Sequence, residues 1–117
     1  MALHKDLPIY ATTYELLAHV VKLAKNMPRD FKHSMGGKLR DECLEISVMV
    51  FRANVAHDKS PYLYALIERL QVVELTLRLA RDLQLISIPN YSVAVEHTTS
   101  IGKQANAWKT QQGSLFS

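Results

Sequence analysis

The segment LRDECLEISVMVFRANV, residues 39–55, decides the fold, because its apolar residues recur at helical spacing over about five turns. Ser34 stands before it as a candidate N-cap, and His57-Asp58 follows as a candidate stop. The spacing of 4, 3, 4 and 3 predicts a helix with one face in a hydrophobic core. That face comprises Leu39, Cys43, Ile46, Val50 and Ala53.

Three further segments, one before this helix and two after it, have the same period, and no segment alternates like a strand. The first ends near Met27-Pro28, because proline resists continuation of a helix. The third opens at Ser60-Pro61, with Ser60 as the predicted cap and proline at the first helical position, and the fourth runs from Ser87-Ile88-Pro89 to about Lys109. The predicted core faces are Tyr10, Tyr14, Leu17, Val21 and Ala24 in the first helix, Leu63, Leu66, Leu70, Val73, Leu77 and Ala80 in the third, and Ala94, Thr98, Ile101, Ala105 and Trp108 in the fourth.

Four helices of about 20 residues, with short breaks around 28–34, 58–60 and 84–89, predict an all-α, antiparallel up-down-up-down four-helix bundle. We expect a single domain over residues 1–110 and a flexible C-terminal tail over 111–117. The one cysteine cannot form an intrachain disulfide. Since no leader-like or membrane-length apolar run is present, we expect a cytoplasmic protein with no membrane contact.

The second and third helices carry more apolar residues than one core face requires. This surplus either widens the core-facing arc or forms a second buried surface between subunits, and we favour the subunit interface. The predicted oligomer-interface residues are Leu44, Val48, Phe51, Val55, Val72, Leu75 and Leu79.

Positive charge is concentrated at the start of the chain. Residues 1–40 hold seven Lys/Arg and three acids, a net +4, whereas residues 41–117 hold seven and eight, a net −1. Such asymmetry indicates a polyanionic partner, although a solvated basic face would give the same distribution of charge along the sequence. The candidate nucleic-acid-binding residues are Arg29, Lys32, Lys38 and Arg40, with Lys22 and Lys25 as secondary candidates.

Motifs for other chemistry are missing. A phosphate-binding P-loop would require glycine at Lys32 and a hydroxyl residue at Leu39, so Gly36-Gly37 is interpreted as the first turn of the second helix. The five histidines form no His-x3-His pair and have no nearby cysteine, so we expect no metal and no cofactor. Asp41, Glu42 and Glu45 are interpreted as favourable charges at a helix N-terminus.

On the third helix, Glu74 with Arg78 and Arg78 with Asp82 have the i, i+4 spacing of surface ion pairs. The alternative is that Arg78 or Arg81 crosses a subunit seam or faces a phosphate. Spacing along one helix does not decide between these two roles.

The segments LPIYATTYELL, NMPRDFKHSMGGKL, FRAN, LRLARDLQLIS and IGKQANAWK, in this order, resemble the accessory variability determinant (Avd-like) family of diversity-generating retroelements, within the superfamily of small bacterial four-helix-bundle proteins. The resemblance implies a ring-like homopentamer with a basic surface. It also implies binding to the retroelement's reverse transcriptase and to nucleic acid, either template RNA or cDNA.

Together, the residues and the resemblance favour a non-enzymatic accessory protein whose oligomer contacts phosphates without reading sequence. A protein-interaction scaffold with no retroelement role is the alternative. A hydrolase or metal enzyme is the third and least favoured hypothesis.

Overall fold

The computed structural model describes the backbone of residues 7–116 and the side chains of residues 7–111. Four long helices and one single-turn helix account for most of it, and this described part contains no strand. The helices are α1 Pro8–Lys25, α2 Arg29–Lys32, α3 Met35–Val55, α4 Ser60–Asp82 and α5 Ile88–Phe116. The predicted first to fourth helices are α1, α3, α4 and α5. The last helix continues past the expected end near Lys109, and the flexibility of residues 111–117 stays a prediction.

Each long helix packs against two others. Helix α1 contacts α3 and α5, and α4 contacts the same two helices. The core runs along the axis of a rod of 48 × 21 × 19 Å. The predicted core faces of α3 and α4 are confirmed, since every member is buried. In α5 the first four predicted residues are buried, and Trp108 is half-buried at the edge of the core.

The predicted core face of α1 is wrong by one residue. Tyr14 and Val21 are 61% and 46% exposed, whereas Tyr10, Leu17 and Ala24 are half-buried. The buried set, one position earlier, is Ile9, Thr13, Leu16, Val20 and Leu23. Both sets have helical spacing, and the observed one contains a threonine. Thr13 is tolerated there because its buried hydroxyl has a hydrogen-bond partner, the Tyr10 carbonyl, to which it donates at 2.8 Å.

Helices α1 and α3 approach each other closely at Gly36. A Cβ built on Gly36 would lie 2.9 Å from Ala24 Cβ and 3.2 Å from Ala24 Cα. At Gly37 the nearest atom to such a Cβ is an arginine nitrogen of Arg40, at 3.7 Å. Only the first glycine is therefore required by helix packing.

Lys59 closes the C-terminal end of α3, a role that the sequence did not indicate. Its Nζ donates to the carbonyls of Ala53, Asn54 and Ala56 at 3.0, 3.2 and 3.0 Å. The same ammonium lies 6.0 Å from the centre of the Trp108 ring. A cation is favourable here because the last carbonyls of a helix have no partners within the helix. Ser60, predicted as a cap, is instead the first residue of α4, with Lys59 at the N-cap.

We expect Lys59→Met to lower the free energy of unfolding by about 2 kcal/mol, because it removes three charge-assisted hydrogen bonds and preserves the aliphatic stem. Urea denaturation followed by circular dichroism measures the change. Lys103→Met, on the exposed surface of α5, is the matched control and should stay within about 0.5 kcal/mol of the unmodified protein. Equal effects of the two substitutions would contradict the capping role.

Candidate nucleic-acid interface

One end of the bundle gathers helix termini that are distant in sequence. The last turn of α1, all of α2 and the first turns of α3 lie there, and the α4–α5 link lies beside them. His19 Nε2 donates to the carbonyl of Asn90 at 2.9 Å. Lys22 and Asn26 line a cavity of about 400 Å³ together with residues 85–87. We call the six predicted phosphate-binding residues at this end the basic end: Lys22, Lys25, Arg29, Lys32, Lys38 and Arg40.

All six side chains of the basic end are exposed, as contact with phosphates requires. Arg29 and Lys32 lie on the single turn of α2, which the half-buried Phe31 packs against the core. Within the described residues, neither of these two cations forms an ion pair. Lys22 and Lys25 have a structural explanation, since cations near the C-terminus of a helix offset its dipole. Arg29 and Lys32 lie on a helix of a single turn, which has almost no dipole to offset.

Lys38 and Arg40 have carboxylate partners within the chain. Lys38 Nζ lies 3.2 Å from Glu42 Oε1, and Arg40 Nε lies 3.3 Å from Asp41 Oδ1. The second pair is well exposed on both sides and contributes little to stability. These partners reduce the charge that Lys38 and Arg40 offer to a polyanion, so the strongest contributions are expected from α2.

Glu42 is a bridge between helices, which corrects its interpretation as a residue of the first helical turn. Helix α3 begins at Met35, and the Glu42 side chain is only 11% exposed. Its two oxygens accept hydrogen bonds from Arg69 Nη1 of α4 at 3.4 and 3.3 Å. Because Lys38 contacts the same carboxylate, one nearly buried charge is shared by two cations. The bridge holds α3 and α4 together below the basic end.

Arg81 lies outside the basic end. The sequence suggested a role for it only as an alternative, either across a subunit seam or facing a phosphate. Its Nε and Nη2 donate to Asp82 Oδ1 at 3.0 and 2.8 Å. Its Cζ lies 4.6 Å from the centre of the Tyr91 ring. The hydrogen bond to Asp82 raises the pKa of Arg81 above its ordinary value. Asp82 thus pairs with its neighbour, and the predicted i, i+4 pairs of Arg78 with Glu74 and Asp82 do not form in the described part of the chain.

Two apolar faces lie outside the core. On α3, Leu44, Val48, Phe51 and Val55 are exposed, and on α4 Leu75 and Leu79 are exposed, whereas Val72 is half-buried. At about 100° per residue, Phe51 lies about 60° from Gly36, which faces α1, and about 180° from Glu42, which faces α4. The α3 residues therefore lie on the side next to α1. On α1, exposed Tyr14 and Val21 lie within about 80° of Ala24, which lies against Gly36, so we group them with this side of the bundle.

We call these surfaces the α1–α3 face and the α4 face. The α1–α3 face comprises Tyr14, Val21, Leu44, Val48, Phe51 and Val55. The α4 face comprises Val72, Leu75 and Leu79. The sequence predicted the surplus apolar residues of α3 and α4 but missed the contribution of α1. Their role as an interface stays a prediction.

Groups that could carry other chemistry are few. Cys43 is buried, and burial together with the charge of Glu42 raises the pKa of its thiol to about 12. The thiol therefore stays protonated and behaves as a small apolar side chain. Among residues 7–111 no three His, Cys, Asp or Glu side chains are placed to hold a metal ion. No described helix has the length and apolar character needed to cross a membrane.

The fold and the basic end define a class, namely a small all-α four-helix bundle with a cationic end and apolar residues on its outer surface. A model of the bAvd-like family matches residues 8–112, nearly the whole described chain. The chain belongs to this bAvd-like family. The family is one of accessory proteins and is not a known enzyme class. No curated protein matches the chain.

Proposed function

We propose that this protein is a non-enzymatic accessory factor of a diversity-generating retroelement, which works in the cytoplasm and binds the reverse transcriptase together with template RNA or cDNA. The observation that carries the proposal is membership of the bAvd-like family over residues 8–112. The basic end supports it, because Arg29 and Lys32 are exposed cations that form no ion pair within the described residues. Contacts of this kind bind phosphates without selecting a sequence.

The helices are proposed to follow each other in antiparallel, up-down-up-down order. Partners between α1 and α5 run in opposite directions, since Thr12 contacts Gln104 and His19 contacts Asn90. The same holds for α4 and α5, where Leu70 lies by Gly102 and Arg81 by Tyr91. This order brings the start of α5 to the basic end.

The functional form is proposed to be a ring-like homo-oligomer, a pentamer by family resemblance. The two apolar faces support assembly, since they lie on different helices and one face of each copy could cover the other face of the next. Such a head-to-tail contact closes into a ring when its rotation permits. Repetition of the basic end around the ring would make weak phosphate contacts multivalent.

Binding of a fluorescent single-stranded RNA, measured by anisotropy against salt, tests the proposal. A phosphate-driven complex should weaken with a log–log slope of about −0.7 per neutralised phosphate. The double substitution Arg29→Ala with Lys32→Ala removes two phosphate contacts from each basic end that contacts the strand. The overall slope should therefore become shallower by about 1.4 for each such end. Lys103→Ala, on the exposed surface of α5, should leave it unchanged.

Absence of binding at about 50 mM salt would overturn the nucleic-acid part of the proposal. If self-association persisted in that case, the protein would be a protein-interaction scaffold. Co-purification with the reverse transcriptase of the proposed retroelement tests the remaining part, and a chain that does not retain this enzyme is not its accessory factor.

A further inference from the structure

A second cavity, of about 630 Å³, opens beside the α4–α5 link. The link is turned sharply at Gln84, whose φ is 61°, in the left-handed region. The N–H of Gln84 donates to the Arg81 carbonyl at 2.9 Å, and the N–H of Leu85 donates to the Ala80 carbonyl at 2.8 Å. These two bonds are the Schellman pattern that ends a helix, and they give the wall of the cavity a fixed shape.

The guanidinium of Arg81 is held as a plane at the wall of this cavity. Two donor atoms are fixed by Asp82, and the Tyr91 ring covers the group at 4.6 Å. The side chain remains 34% exposed and lines the cavity. A guanidinium held in this way presents a flat surface on which an unpaired base can stack. Leu85, Ile86 and Ile88 supply apolar walls around it.

The charge of this cavity suits a base better than a phosphate. The carboxylate of Asp82 offsets the charge of Arg81 and would repel a phosphate placed beside it. The cavity of about 400 Å³ described above shares residues 85–87 with this one and is lined by Lys22 and His19. The two cavities therefore adjoin across the link. The smaller one is lined by the ammonium of Lys22, and the larger one by the planar guanidinium of Arg81.

We propose that the link forms a nucleotide subsite for single-stranded nucleic acid, in which an unpaired base stacks on Arg81 and an adjoining phosphate lies near Lys22. This inference rests on the proposed nucleic-acid binding and adds a preference for unpaired bases to it. Neither the charge asymmetry nor the motifs of the sequence indicate such a preference.

The test compares two oligonucleotides with equal numbers of phosphates, one normal and one with abasic sites throughout. Stacking of a base contributes about tenfold in affinity, so the normal strand should bind about ten times more tightly. Arg81→Lys keeps the charge and removes the planar guanidinium. The two strands should then bind with equal affinity, and the salt slope should stay unchanged. Ile88→Ser, at a side chain that is 70% exposed, should reduce the ratio without disturbing the fold.

Arg78→Lys is the matched control, since Arg78 is an exposed arginine one turn earlier on α4 and outside the cavity. It should preserve the tenfold ratio. Equal binding of the normal and abasic strands, or an unchanged ratio in Arg81→Lys, would overturn the subsite and leave the phosphate contacts intact. If a free nucleoside monophosphate bound as tightly as the strand, the ligand would be a mononucleotide, which also overturns it. Failure of both strands to bind would instead refute the proposed function itself.

Discussion

Phe51→Asp and Leu75→Asp should each convert the proposed oligomer to monomers without loss of helical content. Phe51 is 46% exposed on the α1–α3 face, and Leu75 is 69% exposed on the α4 face. Neither side chain is needed to fill the core, so a carboxylate at either position stays in water in the monomer. In an assembly the same carboxylate would be buried without a partner, at a cost of several kcal/mol. Light scattering and circular dichroism together measure the two effects.

Thr99→Asp is the control for added charge, since Thr99 is exposed on α5 outside both apolar faces. It should leave the mass of the particle unchanged. Loss of helical content in the Phe51 or Leu75 variants would place these residues in the monomer core. If both variants kept their helices and their mass, the apolar faces would not be the interface.

Gly36→Leu should lower the free energy of unfolding by about 3 kcal/mol, the upper part of the usual range for overpacking. The first added atom would already lie 2.9 Å from Ala24 Cβ and 3.2 Å from Ala24 Cα. Because Ala24 Cα belongs to the backbone of α1, the strain is relieved only if α1 and α3 separate. Urea denaturation measures the loss.

Alanine at the two neighbouring glycines gives a sharper comparison. Gly37→Ala should raise the free energy of unfolding by about 0.5–1 kcal/mol, because alanine is the better helix former and a new Cβ would meet only the mobile end of Arg40, at 3.7 Å. Gly36→Ala should lower it, since the clash with Ala24 exceeds the gain in propensity. Changes of the same sign at both positions would contradict the close approach of α1 and α3.

The helical nature of the bundle could be predicted because α3 and α4 each bury one unambiguous apolar stripe. Helix α1 shows why such a prediction fails in detail. Two stripes of equal period differ by one residue, and the aromatic residues favoured the one with Tyr14, which is exposed. The observed stripe contains Thr13, and its burial depends on a hydrogen bond to Tyr10 that spacing does not reveal.

The basic end could be predicted as a set of charges but not as a surface. Charge counting found Arg29 and Lys32, which proved exposed. It did not show that Lys38 shares Glu42 with Arg69, since these residues meet only when α3 packs on α4. For the same reason the contact of Arg81 with Tyr91 across the α4–α5 link had no signal in local sequence.

The mass of the intact particle, measured at rising protein concentration with and without RNA, shows whether copies of the chain assemble and whether the assembly binds nucleic acid. We expect several copies per particle, held together by the two apolar faces, and a further increase in mass when RNA binds the repeated basic ends. A protein that remained a single subunit at high concentration, with its mass unchanged by RNA, would contradict both expectations.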